Sequence, residues 1–477
     1  MVWGGAVHAD EVGLHVVDEL VQAQCRSNGV TWFAGVGART PREVASLARQ
    51  CGGAEPLIRD AGLGTEFDAT NSSLDSDVPF HWDVRPFGLG SGAIDHGVLQ
   101  AQGGAGLGLR AYWGSWEGTL VPNMVVDIAP ENRSLSAAME DLWLGWEGSV
   151  FGAGVGMRDR RFGPGRRGTL VVSDHAMPVP HGQINADWTL PRAFGRLHME
   201  GGVGVLTGER SDVAYPGWLF MDARWLSAAR SERAWVPVVE FGATRASLFG
   251  GVGRPSPSIG QLLVPTDPHV YDDPEQLEPD QDEIAALDLR LSLPLPATSL
   301  DYVEVWWQYG GEDVIARKIV GIPAPALAGV ANLAGLEIGA SPWTLTAEHA
   351  RILDDYFRWY TGHRVYHEGF VHEGQVMGHA YGGDAVGWWL QLRRLGDRWG
   401  VAGEAEEIRR VGIIAAADQN LFALSDDELR RSVAMQGWLR DSKGTGWWTA
   451  RISIAKTTGV DFVLGQDCWS GQLTVGR

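Results

Sequence analysis

Apolar and polar residues alternate along several stretches of the chain. Residues 107–114, 197–205 and 287–293 each place apolar or glycine residues at every second position, with polar or small residues between them. A period of two is typical of β-strands with one apolar and one polar face. No run of about 18 apolar residues occurs, which excludes a transmembrane helix but leaves a transmembrane β-barrel open.

Tryptophan placement favours a membrane barrel over a soluble β-sandwich or propeller, which would alternate in the same way. Tryptophan pairs occur near the predicted strand ends, which suits aromatic girdles at a lipid boundary; these pairs are Trp113 and Trp116, Trp143 and Trp146, Trp306 and Trp307, Trp388 and Trp389, and Trp447 and Trp448. The Trp-Gly segments at 113–118 and 145–148 do not recur at a fixed period, so a repeat architecture is rejected.

Chain length sets the size of the predicted barrel. The roughly 400 residues after the N-terminal region accommodate an even number of strands between about 16 and 20. A barrel of that size has a lumen too wide for its own side chains to fill. The lumen is therefore either plugged or an open pore.

The N-terminal region has a different, helical pattern. Residues 12–25 form an amphipathic stripe, and the capping box at 40–43 begins a second helix that ends before Gly52. Cys25 and Cys51 lie on these helices, either as a disulfide or as two buried thiols. Residues 55–80 indicate a linker, and Val7-His8-Ala9 resembles the end of a secretory signal.

Composition and motif content limit the classes of function that fit the chain. A net charge of −20 and a pI near 5.0 argue against nucleic acid as a partner, which requires a basic face. The chain contains none of the nucleophile-elbow, phosphate-loop, Cys-x-x-Cys or His-Glu-x-x-His motifs, so no cofactor is expected and an enzyme is the minor hypothesis. His363, His367, His372 and His379 are too irregularly spaced among glycines to predict a metal site.

The segment 354–367 is the best candidate for a sugar-binding surface. Aromatic faces cover the apolar CH patches of a pyranose, while charged and imidazole groups bond its hydroxyls. Burial in the barrel explains the same aromatics equally well. The candidate carbohydrate contacts are Arg358, Trp359, Tyr360, His363, Arg364 and Tyr366.

Three further segments lie between the predicted strands. Residues 267–283 are acidic and rich in proline, which predicts a solvated surface loop. Residues 425–428 match a capping box and predict a short loop helix. Residues 404–417 fit a helix or a strand.

Residues 161–180 read as turn, strand and turn, with Gly163, Pro164 and Gly165 in the first turn. This stretch resembles the signature of the Wzi capsule-assembly family. Similar matches follow in the same order at 249–255, which includes Arg254, at 287–294, and at 378–385, which includes Asp384. The chain departs from the family pattern at Phe162, Asp174, His175, Met177 and Val252.

The resemblance implies an 18-stranded bacterial outer-membrane barrel with an N-terminal helical plug, which acts as a lectin for capsular polysaccharide. We therefore predict an all-β chain with a possible signal remnant at 1–9, a plug and linker at 10–80, and a barrel with long extracellular loops at 81–477. Its expected partners are capsular or exopolysaccharide and outer-membrane lipid, it is expected to be a monomer, and neither a metal nor catalysis is expected. The alternatives are a diffusion porin and a barrel hydrolase.

Overall fold

The structure is a computed structural model that describes residues 81–95, 98–129, 132–191, 194–227, 237–263, 280–295, 298–319, 322–354, 358–396, 398–415, 422–440, 447–459 and 467–476. This part of the chain is almost entirely β-structure, as the alternation predicts. Its elements are β1 (His81–Asp95), β2 (Val98–Trp113), β3 (Trp116–Ala129), β4 (Asn132–Glu147), β5 (Phe151–Met157), β6 (Pro180–Thr189), β7 (Arg196–Val205), β8 (Gly217–Leu226), β9 (Val238–Phe249), helix α1 (Ile259–Leu263), β10 (Gln281–Pro294), β11 (Tyr302–Ile319), β12 (Ile322–Ala340), β13 (Trp343–Ile352), β14 (Val371–His372), β15 (Gln375–Val376), β16 (Ala385–Arg394), β17 (Trp399–Ala415), β18 (Phe422–Arg440), β19 (Trp447–Thr458) and β20 (Asp467–Gly476).

The main sheet of the described residues is a closed, antiparallel ring of 18 strands. Each strand pairs with the next along the chain, except that β13 pairs with β16 across the small hairpin of β14 and β15. The ring closes because β20 pairs with β1, in a register that runs from Leu89 opposite Gly476 to Ile94 opposite Gly471. Closure pairs the backbone groups that an open sheet edge would leave exposed. The predicted all-β barrel is confirmed.

The polarity of the barrel is inverted relative to a soluble protein. On β10, Leu287 and Leu291 point outward and are 45% and 37% exposed, whereas Asp288 and Arg290 point inward and are 2% and 1% exposed. The same alternation continues around the ring, with exposed Val, Leu, Ile, Met and Trp outside and buried charged residues inside. An apolar exterior around a polar lumen is the pattern of a transmembrane β-barrel. In the described residues, no helix is long and apolar enough to span a membrane.

The three longest connections lie at one end of the barrel. Because consecutive strands run antiparallel, the connections 158–179, 206–216, 250–280 and 353–384 share an end, which we call the loop end. The opposite turn end carries short connections such as 114–115 and 341–342. In outer-membrane barrels the longer loops are extracellular and the short turns periplasmic. Long loops at one end and short turns at the other fit this general pattern.

Two of the local predictions are resolved by β17 and β18. The capping box at 425–428 lies within β18, so the predicted loop helix is wrong. Its acidic residues pair across strands instead of capping a helix, with Asp427 accepting from Arg409 at 2.6 Å and Glu428 from Arg410 at 3.1 Å. The ambiguous segment 404–417 is a strand as far as Ala415.

Several predictions concern residues that the structure does not describe. The signal remnant at 1–9, the helical plug and linker at 10–80, and the pairing of Cys25 with Cys51 all lie outside the described residues. Most of the acidic loop, residues 267–279, also lies outside them. The division of the chain at residues 9 and 80 stays a prediction.

Candidate functional site

Residues 158–179, which we call the inner loop, fold into the barrel lumen. Phe162, Leu170 and Val171 are completely buried. The backbone N–H of Phe162 donates to the carbonyl of Val172 at 3.0 Å, which closes the loop on itself. The predicted strand in this stretch is therefore wrong: it is reduced to this single bridge. Other backbone groups of the loop bond elsewhere, since the N–H of Leu170 donates to Gln308 on the wall and that of Ser173 to the carbonyl of Met377.

The first turn of the inner loop has room only for glycine at two positions. Gly163 has a φ of +133°, and a Cβ atom there would lie 2.6 Å from Nε2 of Gln308 on the wall. At Gly165 a Cβ atom would lie 2.0 Å from the carbonyl oxygen of Gly168. Pro164 between them fixes its own φ. These three residues of the family-like motif thus shape the turn that enters the lumen.

The turn places two arginines beside glutamates on the inner face of the barrel. We call this inner face, which carries Glu304, Glu348 and Glu406, the acidic wall. Nη2 of Arg166 lies 2.6 Å from Oε1 of Glu304, and Nε of Arg167 lies 2.8 Å from Oε1 of Glu406. Glu348 accepts from the backbone N–H groups of both arginines, at 2.7 and 3.1 Å. Charge-assisted hydrogen bonds of this kind are about twice as strong as neutral ones. The inner loop is therefore held by side chains from β11, β13 and β17.

The acidic wall also carries arginines of its own. Arg224 on β8 is fully buried and bonds Asp288 through two nitrogens at 2.9 and 3.1 Å. Arg290 on β10 bridges Glu240 and Glu304, each at 2.8 Å. Buried charges are tolerated only when they are paired, so this network depends on its full set of partners. Sequence reasoning missed the network, although the inward positions of the 287–293 alternation already showed Asp288 and Arg290 facing away from lipid.

The second segment in the lumen is residues 353–384, which we call the capping loop; its described residues are 353–354 and 358–384. The hydroxyl of Tyr360 donates to the carbonyl of Leu170 at 2.7 Å and accepts from the N–H of His379 at 3.0 Å. The hydroxyl of Tyr366 donates to the carbonyl of Gly250 at 3.0 Å. The capping loop is thus bonded to the inner loop and to the connection after β9.

Three of the predicted sugar contacts are buried between the capping loop and its neighbours in the lumen. Trp359 and Tyr360 are 0% exposed and Tyr366 is 1% exposed. A ring with no exposed face cannot stack on a pyranose, so in this arrangement the three rings are not available as sugar contacts, and their assignment stays a prediction. Their physical role is to fill the lumen, the alternative that the sequence left open.

The other three predicted contacts remain accessible at the loop end. The side chains of Arg358, His363 and Arg364 are 39%, 22% and 55% exposed. His363 and Arg364 both face Asp280 at 3.9 Å. Burial lowers the pKa of His363, and the carboxylate of Asp280 opposes that shift. The accessible part of the predicted site is therefore polar and cationic.

An exposed tyrosine that sequence reasoning missed lies on the connection between β7 and β8. Tyr215 is 57% exposed and has a φ of +55°. The backbone N–H of Val252, itself 68% exposed, donates to the carbonyl of Ala214 at 2.9 Å. The turn of 251–254, which contains the motif residue Arg254, therefore lies against the turn that presents Tyr215. An isolated tyrosine in a loop of charged residues gave no sequence signal.

Asp384 holds the end of the capping loop where it enters β16. Its φ is +55°, and its Oδ2 lies 3.5 Å from Nε of Arg358. Burial raises the pKa of Asp384 to about 6, against the opposing effect of Arg358.

The described residues contain no group of three His, Cys, Asp or Glu side chains placed to hold a metal ion.

The closed ring, apolar exterior and lumen-filling loops define an outer-membrane β-barrel. A family model, capsule assembly protein Wzi, matches residues 98–401, so the chain belongs to this family. The outer-membrane protein Wzi of Escherichia coli, described as a carbohydrate-binding β-barrel involved in group 1 capsule assembly, is similar in structure: the TM-score is 0.65 at 14% identity, and 97% of each chain is covered.

Other solved outer-membrane proteins share less of the fold. OprD of Pseudomonas aeruginosa has a TM-score of 0.49 at 10% identity, with 83% of this chain and 92% of that chain covered. A BenF-like porin of Pseudomonas fluorescens Pf-5 has a TM-score of 0.47 at 10% identity, with 83% and 98% covered. A comparison with curated protein sequences finds no match.

Proposed function

We propose that this barrel binds capsular or other extracellular polysaccharide at its loop end, without catalysis, and retains it at the cell surface. The observation that carries the proposal is the inner loop, whose family-like turn is fixed in the lumen by ion pairs to Glu304 and Glu406. This turn rigidly supports the capping loop above it, through Leu170 and Tyr360. The carbohydrate binding ascribed to Escherichia coli Wzi, a member of the same family, supports the same function.

The proposed contacts are the accessible residues of the loop end. The ring of Tyr215 offers an exposed face to the CH patch of a sugar, because its backbone is held by the adjacent turn. Arg358, His363 and Arg364 supply hydrogen bonds to hydroxyl or carboxylate groups. Arg254 adds a further cation beside Tyr366. We therefore propose these exposed side chains, and not the buried aromatic residues, as the sugar contacts.

The two alternatives require features that fit this architecture less well. A porin requires an open path, whereas the inner and capping loops occupy the lumen beside β11 to β13. A hydrolase requires two carboxyl groups placed across one bond with room for substrate. The buried carboxylates of this wall are instead engaged by arginines.

The outer surface of the barrel indicates the second proposed partner, which is lipid. The outward Leu, Val, Ile and Met residues form the surface that contacts outer-membrane lipid. We propose that the chain acts as a monomer within that lipid. Mass measurement of the detergent complex checks this proposal, and a stable dimer would contradict it.

Capsule retention tests the proposed function. Cells that lack their own capsule-retaining barrel but express this chain should keep polysaccharide at the surface, and Tyr215→Ala should release several times more of it into the medium. Phe194→Ala is the matched control, because Phe194 is also an exposed aromatic residue, at 70% against 57% for Tyr215, but lies at the turn end. Equal release by cells with and without the chain would overturn the proposal, provided that the barrel is heat-modifiable on gels and therefore assembled.

A further inference from the structure

The lumen is filled unevenly around the ring. Inward residues of β8 to β13, such as Arg224, Glu304 and Glu348, are buried under the loops. Inward residues of β18, such as Glu428, Arg430 and Ser432, are only partly buried. Among the described residues, the inward side chains of β18 are therefore more accessible than those of β8 to β13.

Three guanidinium groups lie on this more accessible side of the barrel interior. Arg167 comes from the inner loop, Arg410 from β17 and Arg430 from β18, and the side chains of Arg167 and Arg410 are 36% and 25% exposed. Arg430 lies within electrostatic range of both of the other arginines. His175 of the inner loop lies beside the same cations: burial lowers its pKa, and Arg167 lowers it further. We call Arg167, Arg410 and Arg430 the arginine cluster.

Two of the three arginines in the arginine cluster form ion pairs. Arg167 is paired with Glu406 at 2.8 Å, and Arg410 with Glu428 at 3.1 Å. Arg430 has no hydrogen-bond or ion-pair partner among the described residues, although Glu406 and Glu428 both act on it electrostatically. A partly buried guanidinium without its own anion is costly, because it loses hydration without gaining a partner.

We infer that the arginine cluster is a binding site for the carboxylate of an acidic sugar, which Arg430 engages in a bidentate pair. A guanidinium fork matches carboxylate geometry, and the neighbouring Glu406 and Glu428 accept hydrogen bonds from sugar hydroxyls. A guanidinium group that donates to a carboxylate, next to glutamates that accept from hydroxyl groups, suits a uronic acid residue better than a neutral sugar. This inference rests on the proposed function and names its substrate class as an acidic polysaccharide.

The test compares two probes on the detergent-solubilised full chain. Oligogalacturonate and its methyl ester have the same sugar skeleton, but only the first carries free carboxylates. We expect oligogalacturonate to bind at least tenfold more tightly than the ester, and Arg430→Gln to remove that difference, because only the free carboxylate forms a charge-assisted pair with the guanidinium group. Arg431→Gln is the matched control, because the adjacent Arg431 points outward and pairs with Glu407.

Each outcome decides the inference separately from the proposed function. A preference for the acid that is lost in Arg430→Gln and kept in Arg431→Gln supports it. Equal binding of acid and ester, or a preference that Arg430→Gln leaves unchanged, overturns it. Arg430→Lys separates folding from binding: it keeps the charge but not the fork, so it should restore part of the preference. Capsule retention by the wild-type chain, measured in parallel, shows whether polysaccharide binding itself still stands.

Discussion

The hydroxyl of Tyr360 and the carbonyl of Leu170 are joined by a hydrogen bond of 2.7 Å, although 190 residues separate them in sequence. Both residues are completely buried. The same hydroxyl accepts from the N–H of His379. One side chain therefore fixes the inner loop and both parts of the capping loop in a single arrangement.

Tyr360→Phe should loosen that arrangement. The substitution removes the hydroxyl and leaves a buried carbonyl and a buried N–H unsatisfied, at a cost of about 1–3 kcal/mol. Trypsin should then cleave the inner loop at Arg166 and Arg167 about tenfold faster, because the opened loop is populated more often. Tyr215→Phe is the control, since Tyr215 is exposed; equal cleavage of the two variants and the wild type would contradict the role assigned to Tyr360.

Arg166→Gln should destabilise the folded barrel. It removes a charge-assisted bond to Glu304, a residue with no solvent exposure, although Arg290 still pairs with that carboxylate. We expect a loss of about 1.5–3 kcal/mol, seen as a lower temperature for the conversion of the folded to the unfolded gel band. Arg161→Gln, which breaks the looser 3.7 Å pair with Asp174, should change that temperature little. A drop of the same size in both variants would show that the burial of Glu304 is not the cause.

Gly165→Ala should disrupt the turn of the inner loop. The new Cβ atom would overlap the backbone carbonyl of Gly168, which cannot rotate away as a side chain can. The expected result is a lower folding yield or a loop that proteases cleave readily. Gly103→Ala is a matched control, since nothing lies within 4 Å of its added Cβ. Normal assembly and normal protease resistance of Gly165→Ala would show that the turn has another conformation.

Acidification should stabilise the capping loop through Asp384. The pKa of Asp384 is raised to about 6 by burial, whereas an unfolded aspartate titrates near 3.9. Between these values the folded state binds the proton and the unfolded state does not, so this stabilisation is complete below about pH 4 and lost above about pH 6. Asp384→Asn, which also tolerates the positive φ, should flatten this part of the stability profile. Identical pH profiles for the two proteins would show that Asp384 does not titrate in this range.

The barrel was predictable because its physical cause is repeated along the chain. Each strand must turn apolar residues to lipid, so alternation at 107–114, 197–205 and 287–293 predicted the class. The predicted tryptophan girdles are correct only in part: Trp146, Trp307 and Trp388 are exposed, whereas their pair partners Trp143, Trp306 and Trp389 are buried inside the barrel. Chain length limited the strand number to a range that includes the observed 18.

The candidate site was less predictable, because burial depends on where a loop folds. Trp359 and Tyr360 have the composition of a sugar platform, yet they pack in the lumen, where their polar atoms bond to distant backbone. The helix predicted from the capping box at 425–428 was wrong for a related reason, because arginines on the neighbouring strand pair with its carboxylates. Such partners are far away in sequence, so local patterns cannot reveal them.

The central claim is that the loop end binds polysaccharide without changing it. A glycan array of capsular and neutral polysaccharides, probed with the detergent-solubilised chain, measures this directly when the glycan chain lengths are also compared before and after incubation. We predict retention on acidic capsular polysaccharides, weaker retention by Tyr215→Ala, and unchanged chain lengths. Absence of retention on every polysaccharide by the assembled barrel, or shortening of a bound glycan, would contradict the account.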